Sequence, residues 1–267
     1  SILTTPATPH AMKPIPETLA ATVGLRVDLI DTPAAVVDLD AMERNIQRMA
    51  EFARKHQVRW RPHAKMHKSA ELALLMQQAG AQGVCVQKVS EAEALAAGGV
   101  TDITITNQVV AMPKLHRVAR LAALLATRGG RLALAVDHAD GIERLAEAMA
   151  QFGSDAGVDV LVEIDVGQGR CGVPPGDAAV PLALAVARTP RLRFAGLQAY
   201  HGRAQHLAST VGRRESIAAV VRAADHTRQL IEAQGLPVPL ITGSGTGTLV
   251  HEAASGVFGE LQAGSFL

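Results

Sequence analysis

The chain has 267 residues, 48% hydrophobic and 19% charged, with Lys+Arg at 26 against Asp+Glu at 25. That composition suits a globular protein with one large core or two small ones. A net charge of +1 and only 3% aromatics argue against a nucleic-acid partner, which needs a cationic stripe and stacking rings.

No apolar run approaches the ~20 residues of a membrane span, so no membrane partner is expected. Residues 1–24, rich in Thr, Pro and Ala, lack the charged start and apolar centre of a secretory signal and read as a flexible arm. Cys85 and Cys171 follow no metal or disulfide spacing and read as reduced thiols of a cytoplasmic protein.

A first strand is expected at 34–38, followed by a helix that Asp40 caps and that ends near His56. Strands are then expected near 58–61, 83–86, 102–105, 132–136, 158–164, 192–199, 238–241 and 258–262. Helices between them are expected at 69–79, 91–97, 113–127, 141–152, 177–188 and 214–234. Such alternation implies parallel pairing with helical crossovers.

Eight strands from Val58 onward, over about 200 residues, fit a compact (β/α)8 barrel. The competing doubly wound sheet would collect its ligand groups at one switch point. Here polar residues follow every strand. They are Lys65, Gln87, Asn107, Asp137 with His138, Asp165 with Gln168 and Arg170, Tyr200 with His201, 242–247, and Gly264 with Ser265. That spread favours a barrel mouth, with the barrel over 25–267. The strand at 34–38 stands outside the count and needs a partner, so it is expected to pair with a β-rich segment absent from this chain.

Lys65 sits in Arg-Pro-His-Ala-Lys-Met-His-Lys (61–68), just past the first barrel strand. Neighbouring cations and partial burial lower a lysine pKa, and a neutral amine is what attacks an aldehyde. His63 and His67 flank it and tune its field or orient the loop. The run 242–248, Thr-Gly-Ser-Gly-Thr-Gly-Thr, offers backbone N–H groups and hydroxyls to an anion at the barrel position where phosphate commonly docks. Thr242, Gly243, Ser244, Gly245 and Thr246, with Gly264 and Ser265, are the candidate phosphate cradle. A reactive lysine plus a phosphate anchor is the minimum set for pyridoxal phosphate.

Arg170 lies in a glycine-flanked turn. A guanidinium keeps its proton, so it can only donate to a ring nitrogen; pairing with a carboxylate such as Asp165 is the plain alternative. Tyr200, the single tyrosine, is placed at a strand end to pack on or hydrogen-bond to a cofactor. Histidine suits proton transfer near neutral pH, which makes His206 the better candidate base.

Taken together, RPHAKMHK (61–68), VCVQKVSEAEAL (84–95), VEIDVGQGRCGV (162–173), GLQAYHGRAQH (196–206), ITGSGTGT (241–248) and GELQAGS (259–265) resemble the fold-type III pyridoxal phosphate enzymes, the group of alanine racemase. Within it they look most like the D-threonine aldolase and D-serine dehydratase-like family, leaning toward the low-specificity D-threonine aldolases. The resemblance implies an alanine racemase-type N-terminal barrel with Lys65 as the cofactor's attachment point. It also implies cofactor contacts from Arg170 and Tyr200, and His206 near the substrate hydroxyl; His63 and Gln87, at the first two strand ends, are further candidate cofactor-binding residues. Position 244 is Ser where the aldolases often have Gly.

The implied reaction is retro-aldol cleavage of a D-3-hydroxy amino acid to glycine and an aldehyde, by a homodimer. Two alternatives stay open: a dehydratase acting on D-serine or D-threo-3-hydroxyaspartate, and a pyridoxal phosphate-binding barrel without turnover. The family's divalent metal, manganese or similar, is held by a C-terminal β-domain with no counterpart in this chain.

Overall fold

The computed structural model describes residues 24–267. The expected arm at 1–24 lies, but for Gly24, outside the described residues. The chain divides into two compact units, Ser1–Asp40 and Ala41–Leu267. In the first, the described residues carry a 3-10 turn, Val27–Leu29, and an Arg26–Asp28 ion pair at 2.9 Å. Residues 34–38 belong to no strand, contrary to expectation, and Val36 and Val37 are exposed. An isolated strand has no ladder to satisfy its backbone, so β-propensity alone does not form one.

The second unit holds eight parallel strands: β1 (Arg59–Trp60), β2 (Val84–Val86), β3 (Asp102–Gln108), β4 (Arg131–Val136), β5 (Val158–Glu163), β6 (Leu192–Ala199), β7 (Ile241–Gly243) and β8 (Glu260–Leu261). Their order is β1-β8-β7-β6-β5-β4-β3-β2. The two ends meet, because Gln82 N–H donates to the Trp60 carbonyl and Cys85 N–H to the Pro62 carbonyl, each at 3.0 Å. The sheet is therefore a barrel. Its outer helices are α1 (Leu39–His56), α2 (Ala70–Gln78), α3 (Val89–Ala97), α4 (Met112–Thr127), α5 (Ala139–Phe152), α6 (Ala179–Arg188), α7 (Thr210–Glu232) and α8 (Leu249–Ala253).

Hydrophobic burial explains the packing. Every residue of β5 is buried, as expected for a parallel strand covered on both faces. Leu115, Val118 and Leu125 of α4 and Leu145 and Met149 of α5 join Ile103, Ile105, Leu132 and Val160 in one core. Each such side chain contributes roughly 1.5–3 kcal/mol. A second cluster packs Met42, Ile46, Met49 and Ala53 of α1 on Trp60, Met76 and Leu261.

The seventh strand starts later than expected, at Ile241 rather than 238. Pro237 and Pro239 lack the N–H a ladder needs, so pairing begins only beyond them. Thr242 and Gly243 are thereby strand residues, not loop residues. Inside the barrel, Gln198 and Gln262 exchange hydrogen bonds of 2.9 and 2.8 Å across the intervening β7. One step toward the strands' N-terminal ends, buried Arg61 donates to Glu260 at 3.1 Å and to Asp102 at 2.6 Å. This polar interior forms the base on which the site rests.

Candidate active site

A cavity of about 380 Å³ opens at the C-terminal ends of the strands, within the range of small-molecule sites. The β1 side supplies His63, Lys65 and Met66, β2 supplies Gln87, and β3 supplies Thr106. Arg170 follows β5, and Gln198, Tyr200, Gln205 and His206 come from β6 and the turn beyond it. Ser244–Gly247 follow β7, while Gln262, Gly264 and Ser265 follow β8. Among the described residues, the fourth strand end contributes nothing. Asp137 instead accepts the Gly172 N–H at 2.9 Å, anchoring the turn that carries Arg170.

Lys65 lies on a short 3-10 turn, Ala64–Met66, at the open mouth. Partial burial and the Arg170 charge lower its pKa, with Cys85 and Glu91 opposing. Its Nζ stands 5.9 Å from the Tyr200 ring centre, and the Arg170 guanidinium stands 6.0 Å from the same centre. The tyrosine face thus joins the amine and the guanidinium across the cavity. Burial raises the Tyr200 pKa, keeping its hydroxyl protonated.

His63 is buried, and its Nδ1 accepts the Lys65 backbone N–H at 3.3 Å. That lone pair fixes the proton on Nε2, which lies 2.9 Å from Thr106 Oγ1; the threonine hydroxyl in turn donates to the Val86 carbonyl. Burial, then the Lys65 charge, pushes the His63 pKa down to about 3. The imidazole is neutral and holds the lysine loop in place.

Arg170 takes its carboxylate contact from Glu163, at 3.9 Å, and not from Asp165. Asp165 is occupied by the N–H groups of Gly167 and Gly169. Glu163 is itself buried, which raises its pKa despite the Gln108 amide on it.

Past β7, Ser244 takes a left-handed φ of 78°, a conformation glycine adopts most readily. Thr246 Oγ1 is buried without a hydrogen-bond partner, a donor left over for a ligand. A Cβ on Gly264 would lie 2.6 Å from the His63 carbonyl, so the β8 side of the cradle needs glycine for space. Thr242 and Gly243, read from sequence as cradle residues, do not line the cavity: Thr242 is fully buried and bonds Glu260 at 3.2 Å. Met66, Thr106, Gln198, Gln205 and Gln262 line it without having been singled out. A polar residue at period two in an apolar strand was the available signal for Thr106 and Gln198.

An amine with a lowered pKa, a guanidinium beyond a tyrosine ring, a spare hydroxyl in a glycine loop and, among the described residues, no carboxylate in the lining fit an aldehyde that carries a phosphate. Pyridoxal phosphate meets that description. For a metal, the described residues gather no cluster of three His, Cys, Asp or Glu side chains.

A D-threonine aldolase from Arthrobacter sp is 44% identical over 237 residues, 89% of this chain and 61% of the relative. A 3-hydroxy-D-aspartate aldolase from Paracoccus denitrificans (strain Pd 1222) is 41% identical over 249 residues, 93% of this chain and 63% of the relative. The crystal structure of D-threonine aldolase from Filomicrobium marinum is 45% identical with a TM-score of 0.85, covering 89% of this chain and 62% of that one. The chain thus spans about three-fifths of the length of the curated relatives it matches. Residues 37–267 match the family model for the alanine racemase N-terminal domain, and with its eight-stranded barrel the chain belongs to that family.

Proposed function

We propose that this barrel binds pyridoxal phosphate and serves a lyase that cleaves D-3-hydroxy amino acids of the D-threonine type into glycine and an aldehyde. The observation that carries the reading is Lys65, an amine of lowered pKa facing a glycine cradle across one cavity. The aldolase names of the relatives above support the direction of the reaction. When bound, pyridoxal phosphate supplies the electron sink that accepts the carbon–carbon bonding pair.

The protein's own groups do the rest. Lys65 is the attachment residue, and its depressed basicity keeps more of it neutral near physiological pH. With the cofactor bound, Arg170 would be the donor for its ring nitrogen, and Tyr200, Gln87 and His63 would bound the ring, since all four line the cavity. Ser244–Thr246 with Gly264 and Ser265 hold the phosphate through N–H and hydroxyl donors. His206, exposed at the cavity wall, accepts the proton of the substrate's β-hydroxyl as the Cα–Cβ bond breaks. A divalent metal finds no ligand set among the described residues, and no step is assigned to one.

No helix among the described residues is long and apolar enough to cross a membrane. A cytoplasmic homodimer acting on small amino acids is part of the same reading. The test is borohydride reduction of the protein loaded with pyridoxal phosphate, followed by peptide mapping. The adduct is expected on Lys65 and is lost in Lys65→Ala; an adduct on another lysine refutes the assignment. Product analysis with D-threonine should give glycine and acetaldehyde, whereas a keto acid and ammonia would identify the eliminating dehydratase instead.

A further inference from the structure

Gln205 uses both ends of its side-chain amide on the cradle. Its Oε1 accepts the Gly247 N–H at 2.8 Å, and its Nε2 donates to Thr248 Oγ1 at 2.7 Å and to the His201 carbonyl at 3.4 Å. The threonine hydroxyl then donates to the buried Glu252 Oε1 at 2.7 Å. This chain of donors fixes the amide orientation, since a flipped amide would face the Gly247 N–H with its own N–H groups. The residue spans two loops 42 positions apart in sequence.

The glycine pattern of the cradle follows from this contact. Neither Gly245 nor Gly247 takes a left-handed φ, so backbone conformation does not demand glycine there. Space does. A Cβ on Gly245 would lie 2.6 Å from Gln205 Cδ and 2.7 Å from its Oε1, and one on Gly247 would lie 2.8 Å from the Gln205 carbonyl oxygen. Gln205 also precedes His206 at the end of the Arg203–His206 turn, whose Ala204 is fully buried. The turn is therefore pinned by Ala204 from the core and by Gln205 from the cradle, and His206 projects from beside these two anchors.

We propose that Gln205 is a positioning residue, locking the phosphate cradle to the turn that carries His206 so that an anion in the cradle sets the place of the imidazole. The inference rests on the reading of Ser244–Gly247 as a phosphate site. The Gln205 side chain makes no claim on the reacting atoms; it acts through Gly247 and His206.

A double-mutant comparison tests it, with pyridoxal phosphate affinity read from absorbance titration. Gly245→Ala should weaken binding about tenfold or more in the wild-type background but only about twofold with Gln205→Ala, because the clash is with that side chain. Gly247→Ala should keep most of its penalty in both backgrounds, because its nearest clash, 2.8 Å, is with the Gln205 carbonyl oxygen, which the substitution keeps, and only the looser 3.1 Å approach to Oε1 is relieved. A second readout is the His206 imidazole nitrogen shift on adding inorganic phosphate to the cofactor-free protein. Phosphate should move that resonance in the wild type and leave it still in Gln205→Ala at saturating phosphate. Should Gln205→Ala fail to fold, Gln205→Ser carries the same comparison. An equal Gly245→Ala penalty in both backgrounds, or an unchanged His206 response, overturns the coupling while leaving the cradle standing. If inorganic phosphate does not compete with pyridoxal phosphate in the wild type, the cradle reading falls and takes this inference with it.

Discussion

Replacing His63 with glutamine should remove the acid-side loss of stability that this imidazole contributes. The wild-type imidazole is buried and neutral, with its pKa pushed down to about 3 from 6.5. Between those values the unfolded chain binds a proton that the folded chain does not, so stability falls as pH falls through 6.5. For one such site the integrated loss from pH 6.5 to 5 is about 1.6 kcal/mol, at ~1.4 kcal/mol per unit once fully displaced. The geometry agrees with the sign. Protonated Nδ1 would turn an N–H onto the Lys65 N–H at 3.3 Å, and the new charge would sit beside Lys65. The glutamine amide of the variant cannot titrate and retains a donor for Thr106. Urea unfolding of both proteins at pH 5, 5.5, 6 and 6.5 measures the difference. The wild type should lose about 0.5 M more in midpoint than the variant, for a denaturant slope of ~3 kcal/mol/M. Parallel profiles would refute a buried neutral His63.

Two further substitutions probe the same framework. Ser244→Gly relieves the left-handed φ of 78° and should stabilise the fold by about 0.5–1 kcal/mol, read as a higher melting temperature; a lower one would show that the serine hydroxyl outweighs the strain. Glu260→Ala strips buried Arg61 of its 3.1 Å partner but leaves the 2.6 Å contact to Asp102, and should cost about 1–3 kcal/mol, or roughly 2–12 °C in melting temperature. Pairing it with Arg61→Met should recover part of that loss, since the cost lies in a buried guanidinium that has lost one of its two carboxylates; a double variant as unstable as the sum would contradict this.

The barrel was legible because polar groups follow every strand, whereas an open sheet gathers its ligand groups at one switch point. Lys65, Arg170, Tyr200 and His206 were legible as residue types with distinct chemistry at strand ends. The misplacements have local physical causes. Two prolines delay β7, which draws Thr242 and Gly243 into the ladder. Asp137 turns from the mouth to hold Gly172, a choice made by a contact 35 residues away. Gln198 and Gln262 point inward together only once β6 and β8 are curled around β7. Residues 34–38 have strand-like composition but no ladder to join, and strands are stable only in company. Gln205 stood within a quoted motif, yet nothing in its neighbours reveals a bond to Gly247.

The distribution of carboxyl groups makes the site's electrostatics a property of its surroundings. Among the described residues none lines the cavity, whereas Glu163, Glu252 and Glu260 are buried just outside it. Glu252 lies behind the cradle with Oε1 bonded to Thr248 and Oε2 unpartnered, and burial pushes its pKa up to about 7. A folded value above the ordinary 4.5 means that the unfolded chain releases this proton first, so stability is lost as pH rises from 4.5 through 7. From pH 5 to 8 the loss from this one group is about 2.5 kcal/mol. Glu252→Gln keeps the acceptor for Thr248 and cannot ionise, so between pH 5 and 8 it should gain about that much stability relative to the wild type. The slope is opposite in sign to that of His63, so the two contributions nearly offset each other between about pH 5 and 6.5 and stability falls on either side of that window. The same ionisation places a negative charge behind the cradle, so phosphate affinity in the wild type should fall above pH 7 relative to the variant. Competition by inorganic phosphate at pH 6 and 8 measures this, and an unchanged wild-type-to-variant ratio would refute an ionisation of Glu252 between those values that reaches the cradle.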